Sequence, residues 1–313
     1  MNSKILGILK VFTTLLLVFI IVYKIGLQRI SSNLDKIWHI EVLMAAFMSP
    51  IVVLLGVYKW KLLVNGSRLK ATWKSSIASY LGGMGIGLFT PMRVGELSRI
   101  FFLSGNRGVL LGAALLDKAI DLQILVLLST IGCLLVFGMK MAVVFGAFSA
   151  LLLSFIMFPT LYAPVKEKIL LLPFKEKLQR LFVSVEDLPC SLKSSCLFIR
   201  LLVCGINILQ FSLLLNAFEP VSFLAVFSVM PIIVLISNFP ITIGGLGLRE
   251  GVAALMLNSF GVSPAIAVTT SFLLFCVNNL LPGVIGFMFF SNHSVNSVKD
   301  KFLSKLLPLF RRQ

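Results

Sequence analysis

Three ionisable residues, Arg93, Glu96 and Arg99, fall within seven positions of one another in GIGLFTPMRVGELSRIFFL (85–103), with apolar sequence on both sides. A second set, Asp117, Lys118 and Asp121, sits in LLDKAIDL near the start of a long apolar run. A third, Arg249 and Glu250, closes NFPITIGGLGLREG (238–251). A charge at the centre of a bilayer costs about 2.5–3.5 kcal/mol on insertion scales, so three facing lipid at 93–99 would cost about 7–10 kcal/mol. Such groups must line a wet cavity or pair with each other. The chemistry they suit is anion binding. Free N–H groups at a helix start and an arginine fork together match a phosphate.

Plainer roles stand beside that one. Glu96 and Glu250 suit the first turn of a helix, where acid complements the helix dipole. Arg99 has the length to snorkel to an interface. Asp117 and Asp121 are four apart and share a helix face, and Lys118 can neutralise one of them. The alternative for that pair is a titratable or cation-attracting point beside the cavity. Arg200, in SCLFIRLLVCG, reads as an interfacial snorkeler, and Asn278-Asn279 before Pro282 as helix-packing residues. Gly245 and Gly247 do not open a nucleotide loop, because Glu250 stands where GxGxxG needs its third glycine. The five cysteines form no CxxC or Cys/His cluster, and His39 and His293 lie far apart. No metal site, cofactor or catalytic residue is expected. An intramembrane enzyme would need a nucleophile or metal set, and the chain shows no HExxH and no Ser/His/Asp order.

The elements that must hold these residues are membrane helices. Apolar residues make up 58% of the 313 and charged residues 13%, about half the share of a soluble domain. The expected class is an all-α polytopic membrane protein. The 28 basic against 12 acidic residues then mark cytoplasmic loops and not a nucleic-acid partner, since no soluble basic domain is present to hold one.

Six full spans are predicted, at 5–23, 42–58, 109–138, 141–162, 197–218 and 264–290. The first resembles a signal peptide, but its run ends in Tyr23-Lys24 without a cleavage site, so it reads as a retained span. Basic segments 59–75, 164–195 and 299–312 place those loops and both termini in the cytoplasm. Region 76–104 must then leave the cytoplasm and return, and region 222–260 must do the same from outside. The first arm, 76–89, is roughly 21 Å of helix, too short for about 30 Å of hydrocarbon. Two re-entrant hairpins are the economical solution, although two ordinary span pairs would keep the same parity. The tips hold Thr90, Pro91 and Gly95 in one, and Pro240, Gly244, Gly245 and Gly247 in the other. One transmembrane domain, 1–291, then divides into inverted repeats 1–139 and 140–291, with a basic tail at 292–313. Residues 175–188 and the tail read as amphipathic, attracting anionic lipid.

TPMRVGELSR, LLDKAIDL and FPITIGGLGLREG, in this order and spacing, resemble the lysylphosphatidylglycerol synthase transmembrane-region, or flippase-like, family. The resemblance covers nearly the whole chain. It implies that the membrane unit moves a modified phospholipid between leaflets of the cytoplasmic membrane. It points to Pro91, Arg93, Gly95, Glu96 and Arg99, to Asp117, Lys118 and Asp121, and to Pro240, Gly244, Gly245, Gly247, Arg249 and Glu250. The sequence ends 23 residues after the last predicted span, so no attached synthase and no aminoacyl transfer are expected. The implied partners are membrane lipids and a separate lipid synthase or glycosyltransferase. The expected function is a flippase for a phosphate-bearing lipid. The alternatives are a non-transporting partner of a glycan- or lipid-modifying enzyme and a secondary solute transporter.

Overall fold

The computed structural model describes residues 39–88, 90, 93–158, 188–239, 242 and 245–292. The predicted first span, most of the 175–188 segment, almost all of the 292–313 tail, and Pro91, Pro240 and Gly244 lie outside them. The described residues form nine α-helices, one 3-10 segment and one π segment, with no strand among them.

Helix α1 runs Ile40–Gly66 and α2 Trp73–Gly87; a 3-10 segment follows at Val94–Phe102. Then come α3 (Arg107–Val136), α4 (Met139–Met157), α5 (Cys190–Asn216), α6 (Phe223–Ser237) and α7 (Leu248–Asn258). The last span is α8 (Pro264–Phe275), a π segment (Cys276–Leu280) and α9 (Leu281–Asn292). Polar caps set several starts. Thr72 accepts from Ser75 N at 3.2 Å, Asn106 from Gly108 N at 2.9 Å and Ser222 from Ala225 N at 3.3 Å. Ser263 caps α8, with Pro264 at its first helical position.

Among the described residues five helices are long and apolar enough to cross a bilayer: α1, α3, α4, α5 and the run Pro264–Met288. Helices α2 and α6 are not. Each has 15 residues, roughly 22 Å, short of about 30 Å of hydrocarbon. Both are followed by a break and a second short element that packs back against them. A β-carbon on Gly82 would stand 2.5 Å from the Phe102 ring, on Gly83 2.9 Å from Arg99 Cβ, and on Gly87 2.7 Å from Glu96 Cγ. Rising numbers on α2 meet falling numbers on the 3-10 segment, so the two run antiparallel.

Helix α1 packs along α5, α2 along α9, α6 along α3, and α4 against α3. The second and third contacts are backbone-close. A β-carbon at Gly85 would lie 2.8 Å from Gly283 O, and one at Gly132 would overlap Ser228 O. Small residues permit such approach between membrane helices. The glycines of LGGMGIG (81–87) therefore serve two neighbours at once, a signal that reading for charge passed over.

Two boundaries differ from expectation. The basic stretch 59–75 is not all loop: α1 continues to Gly66, and Lys59 is buried inside it at 4% exposure. Helix α5 starts at Cys190, seven residues before the predicted span, and buries Lys193. Hydropathy windows trim a helix at its first lysine even where that lysine faces inward. Large apolar side chains such as Phe47, Val144, Leu151, Phe198 and Leu255 remain on the outer surface, as lipid contact requires.

Candidate functional site

The site begins at the break after α2. Thr90 Oγ1 donates to Gly87 O at 3.2 Å and accepts from Gly95 N at 2.7 Å, stapling the two arms. Arg93 caps the 3-10 segment in a left-handed conformation, φ 52°. That conformation costs a non-glycine residue roughly 1–2 kcal/mol, and strain of this kind persists where surroundings hold it. Here Arg93 N donates to Thr90 O at 3.2 Å, Arg93 O accepts from Glu96 N at 2.9 Å, and Nη1 donates to Asn279 Oδ1 at 2.7 Å. Asn279 belongs to the π segment, where one extra residue per turn reorients neighbouring side chains. Its neighbour Asn278 faces α5 instead and donates to Gln210 Oε1 at 2.8 Å and Asn207 Oδ1 at 3.1 Å. Asn278 thus has the packing role expected of it, while Asn279 contacts the hairpin tip.

Gly95 is the tightest point of this turn. A β-carbon there would lie 2.5 Å from Ile86 O and 2.6 Å from Thr90 Oγ1. Gly95→Ala is expected to destabilise the hairpin by about 1–3 kcal/mol. Hydrogen exchange across 87–102 should quicken in that variant while α4 stays protected; unchanged protection at 87–102 would refute the tight turn.

From Arg93 the ionised groups form two sets. The outer one is a triad. Lys118 Nζ pairs with Glu96 Oε2, and Arg93 Nη1 lies 3.8 Å from Glu96 Oε1. It is accessible, with the Lys118 side chain 37% exposed. The inner set is a ladder of alternating sign drawn from four elements. Arg99 Nη2 lies 2.8 Å from Asp117 Oδ2, and Asp117 Oδ1 lies 2.9 Å from Lys59 Nζ. Lys59 also pairs with Asp121, whose Oδ1 lies 3.1 Å from Arg200 Nε. Three bases face two acids in the ladder, and two bases face one acid in the triad. Each set carries one positive charge in excess.

The inner end of the ladder is sealed. Arg99 stacks over Trp60 at 4.0 Å, donates to Ala114 O at 3.3 Å, and is 2% exposed. Ser79 Oγ donates to Arg99 O at 2.7 Å and accepts from Trp60 Nε1 at 3.1 Å. A buried apolar cluster of Trp60, Leu63, Ile100, Leu110 and Ile120 surrounds it. Arg99 therefore does not reach an interface by snorkelling. Arg200 pairs with Asp121 at the more exposed end of the ladder. Lys59 and Arg200 were the functional residues missed. Both sit in apolar helices opposite Asp121, and the recoverable signal was that two inward acids need more than one base.

The second tip is different. Gly245 and Gly247 adopt φ of 77° and 79°, a left-handed backbone that favours glycine. Glu250 accepts from Gly247 N at 2.7 Å, so it acts as a cap in the first turn of α7. Arg249 Nη2 donates to Ser271 O at 2.7 Å and to Glu250 Oε1 at 3.2 Å, Nε donates to Ser271 Oγ at 3.2 Å, and the guanidinium lies 5.1 Å from the Phe275 ring. This pair is neutral, and Nε and Nη2 of Arg249 are engaged. Among the described residues no hydrogen bond or ion pair joins it to the first set.

Apolar spans, two short broken arms and a buried, internally paired set of charges define a multi-pass helical membrane protein. The family model described as the lysylphosphatidylglycerol synthase TM region matches residues 6–286, and the chain belongs to that family. No curated protein and no solved structure matches the chain.

Proposed function

We propose that the protein is a flippase-like carrier in the cytoplasmic membrane, moving a phosphate-bearing lipid headgroup along the polar seam at the first hairpin while the acyl tails stay in hydrocarbon. The observation that carries this is the positive excess of two ion-paired sets held among apolar helices, one of them open at Lys118 and Arg93. The barrier to flipping is chiefly headgroup desolvation, and buried polar partners lower it. In this reading α2 with the 3-10 segment, and α6 with α7, are re-entrant hairpins of two inverted repeats with cytoplasmic termini. The reciprocal packing supports it, since each first arm lies on the last span of the other half: α2 on α9, and α6 on α3. Alternating access follows from rocking one repeat against the other. Because Arg249 is engaged by Ser271 and Glu250, the phosphate contacts fall to Arg93 and Lys118.

The test is reconstitution into liposomes with a panel of labelled phospholipids. The protein should flip at least one lipid faster than empty vesicles do. Arg93→Gln with Lys118→Met should lower that rate at least about tenfold, the loss of one charge-assisted contact. No acceleration for any lipid, or an unchanged rate in the double variant, would remove the reading.

A further inference from the structure

The ladder ends on an arginine whose hydrogen-bonding fork is unused. Arg200 Nε lies 3.1 Å from Asp121 Oδ1, in ion-pair contact but without hydrogen-bond alignment. Among the described residues its two terminal amino groups have no partner. The Arg200 side chain is 17% exposed and that of Asp121 24%, against 5% or less for Lys59, Asp117 and Arg99. The ladder therefore opens outward at this end alone.

A second free donor faces the same place. The Tyr80 hydroxyl lies against Gly56 of α1, where a β-carbon would overlap it, three residues before Lys59 and on the same helix face. Lys59 pairs with Asp117 and Asp121, so the hydroxyl packs on the helix that supplies the centre of the ladder, one turn from its lysine. Among the described residues the hydroxyl has no hydrogen-bond partner. At this open end Arg200 Nε is itself buried without an aligned hydrogen-bond partner. Such an atom is uncommon in a native interior and calls for a partner.

We infer that Arg200 and Tyr80 form an anion subsite, separate from the Arg93–Lys118 triad, that takes a phosphate group. The excess positive charge of the ladder asks for one anion. A guanidinium fork from α5 and a hydroxyl from α2 approach from different elements, which suits a tetrahedral oxyanion with acceptors in several directions. The inference deepens the carrier reading: the phosphate would pass between the triad and this subsite. The same chemistry also serves a free phosphate.

The experiment uses the full chain in detergent and measures saturable binding by equilibrium dialysis of two radiolabelled probes, inorganic phosphate and dihexanoyl phosphatidate. Saturable binding of at least one is expected. Binding of phosphatidate at least about tenfold tighter than phosphate identifies a lipid headgroup site, and the reverse order a free-phosphate site. Arg200→Gln should weaken binding at least about tenfold and Tyr80→Phe about fivefold, as expected for a charged and a neutral hydrogen bond. Arg200→Lys keeps the ion pair to Asp121 but not the fork, so it should retain the thermal stability of the parent while binding more weakly. If Arg200→Gln fails to fold, Tyr80→Phe decides, because its hydroxyl bonds no described residue. The subsite is overturned if neither probe saturates, or if the variants that fold bind like the parent. Binding without flipping would remove the carrier reading and leave the subsite standing. Flipping without binding would do the opposite.

Discussion

Asp117→Asn is expected to destabilise the protein by about 3–5 kcal/mol, the cost of leaving a buried charge without its partner. Asp117 stands between Arg99 Nη2 at 2.8 Å and Lys59 Nζ at 2.9 Å, and all three side chains are almost wholly enclosed. Lys59 keeps Asp121, but no other ion pair of Arg99 is seen among the described residues, and an amide supplies no charge. The guanidinium would then sit over Trp60 in an apolar surround with its charge uncompensated. The damage should be repaired by removing both partners. Arg99→Met combined with Asp117→Leu replaces a buried pair with apolar volume, which is often neutral or stabilising. Thermal unfolding in detergent checks both variants. Asp117→Asn should lower the midpoint sharply and the double variant should recover most of it. Equal midpoints for parent and Asp117→Asn would show that Asp117 is not the internal counter-ion, and would return it to the list of groups free to meet cargo.

Gly286→Leu should be nearly as damaging, by about 3 kcal/mol, the upper end of the overpacking range. A β-carbon there would overlap the Leu81 carbonyl, and the opposing Gly85 is within 2.9 Å of Phe287 N by the same construction. Backbone meets backbone across this crossing, so no side chain can swing away to make room. Gly205, on α5, is the control. A β-carbon at Gly205 meets nothing within 4 Å, and alanine there should stabilise the helix by up to about 1 kcal/mol. The two variants are read together by the same unfolding assay and by retention on size exclusion. Similar midpoints for Gly286→Leu and Gly205→Ala would mean that α2 and α9 are not held in close contact.

Much of this arrangement is legible in the residues, but unevenly. The long apolar runs announced the spans because lipid demands about 20 apolar residues from a crossing helix. The short arms were legible by subtraction, since 76–104 and 222–260 had to return to their starting sides. Charges at 93, 96, 99, 117, 118 and 121 stood out against apolar sequence, and the structure brings all six together around the first hairpin. What sequence could not give was partnership. Lys59 looked like the first residue of a basic loop because three other bases follow it by position 70. Arg200 looked like an isolated charge near a helix end. Their partners lie 58 or more residues away, a separation that no local pattern encodes. Arg249 and Glu250 raise the opposite problem. By type they match Arg93 and Glu96, yet Ser271 and the cap at Gly247 absorb them.

If the protein is the carrier proposed above, that difference between the tips has a consequence for kinetics. Two halves built to one plan would hold a cargo equally long on either side of the membrane. Here one half offers ionised groups with spare capacity, and the other offers a closed, neutral pair. A molecule crossing between them would linger on the first side and leave the second quickly. Such inequality cannot by itself drive accumulation, since forward and backward steps still balance at equilibrium. Under that proposal it would decide which leaflet saturates the carrier first, and hence from which face a competing ligand would stall it.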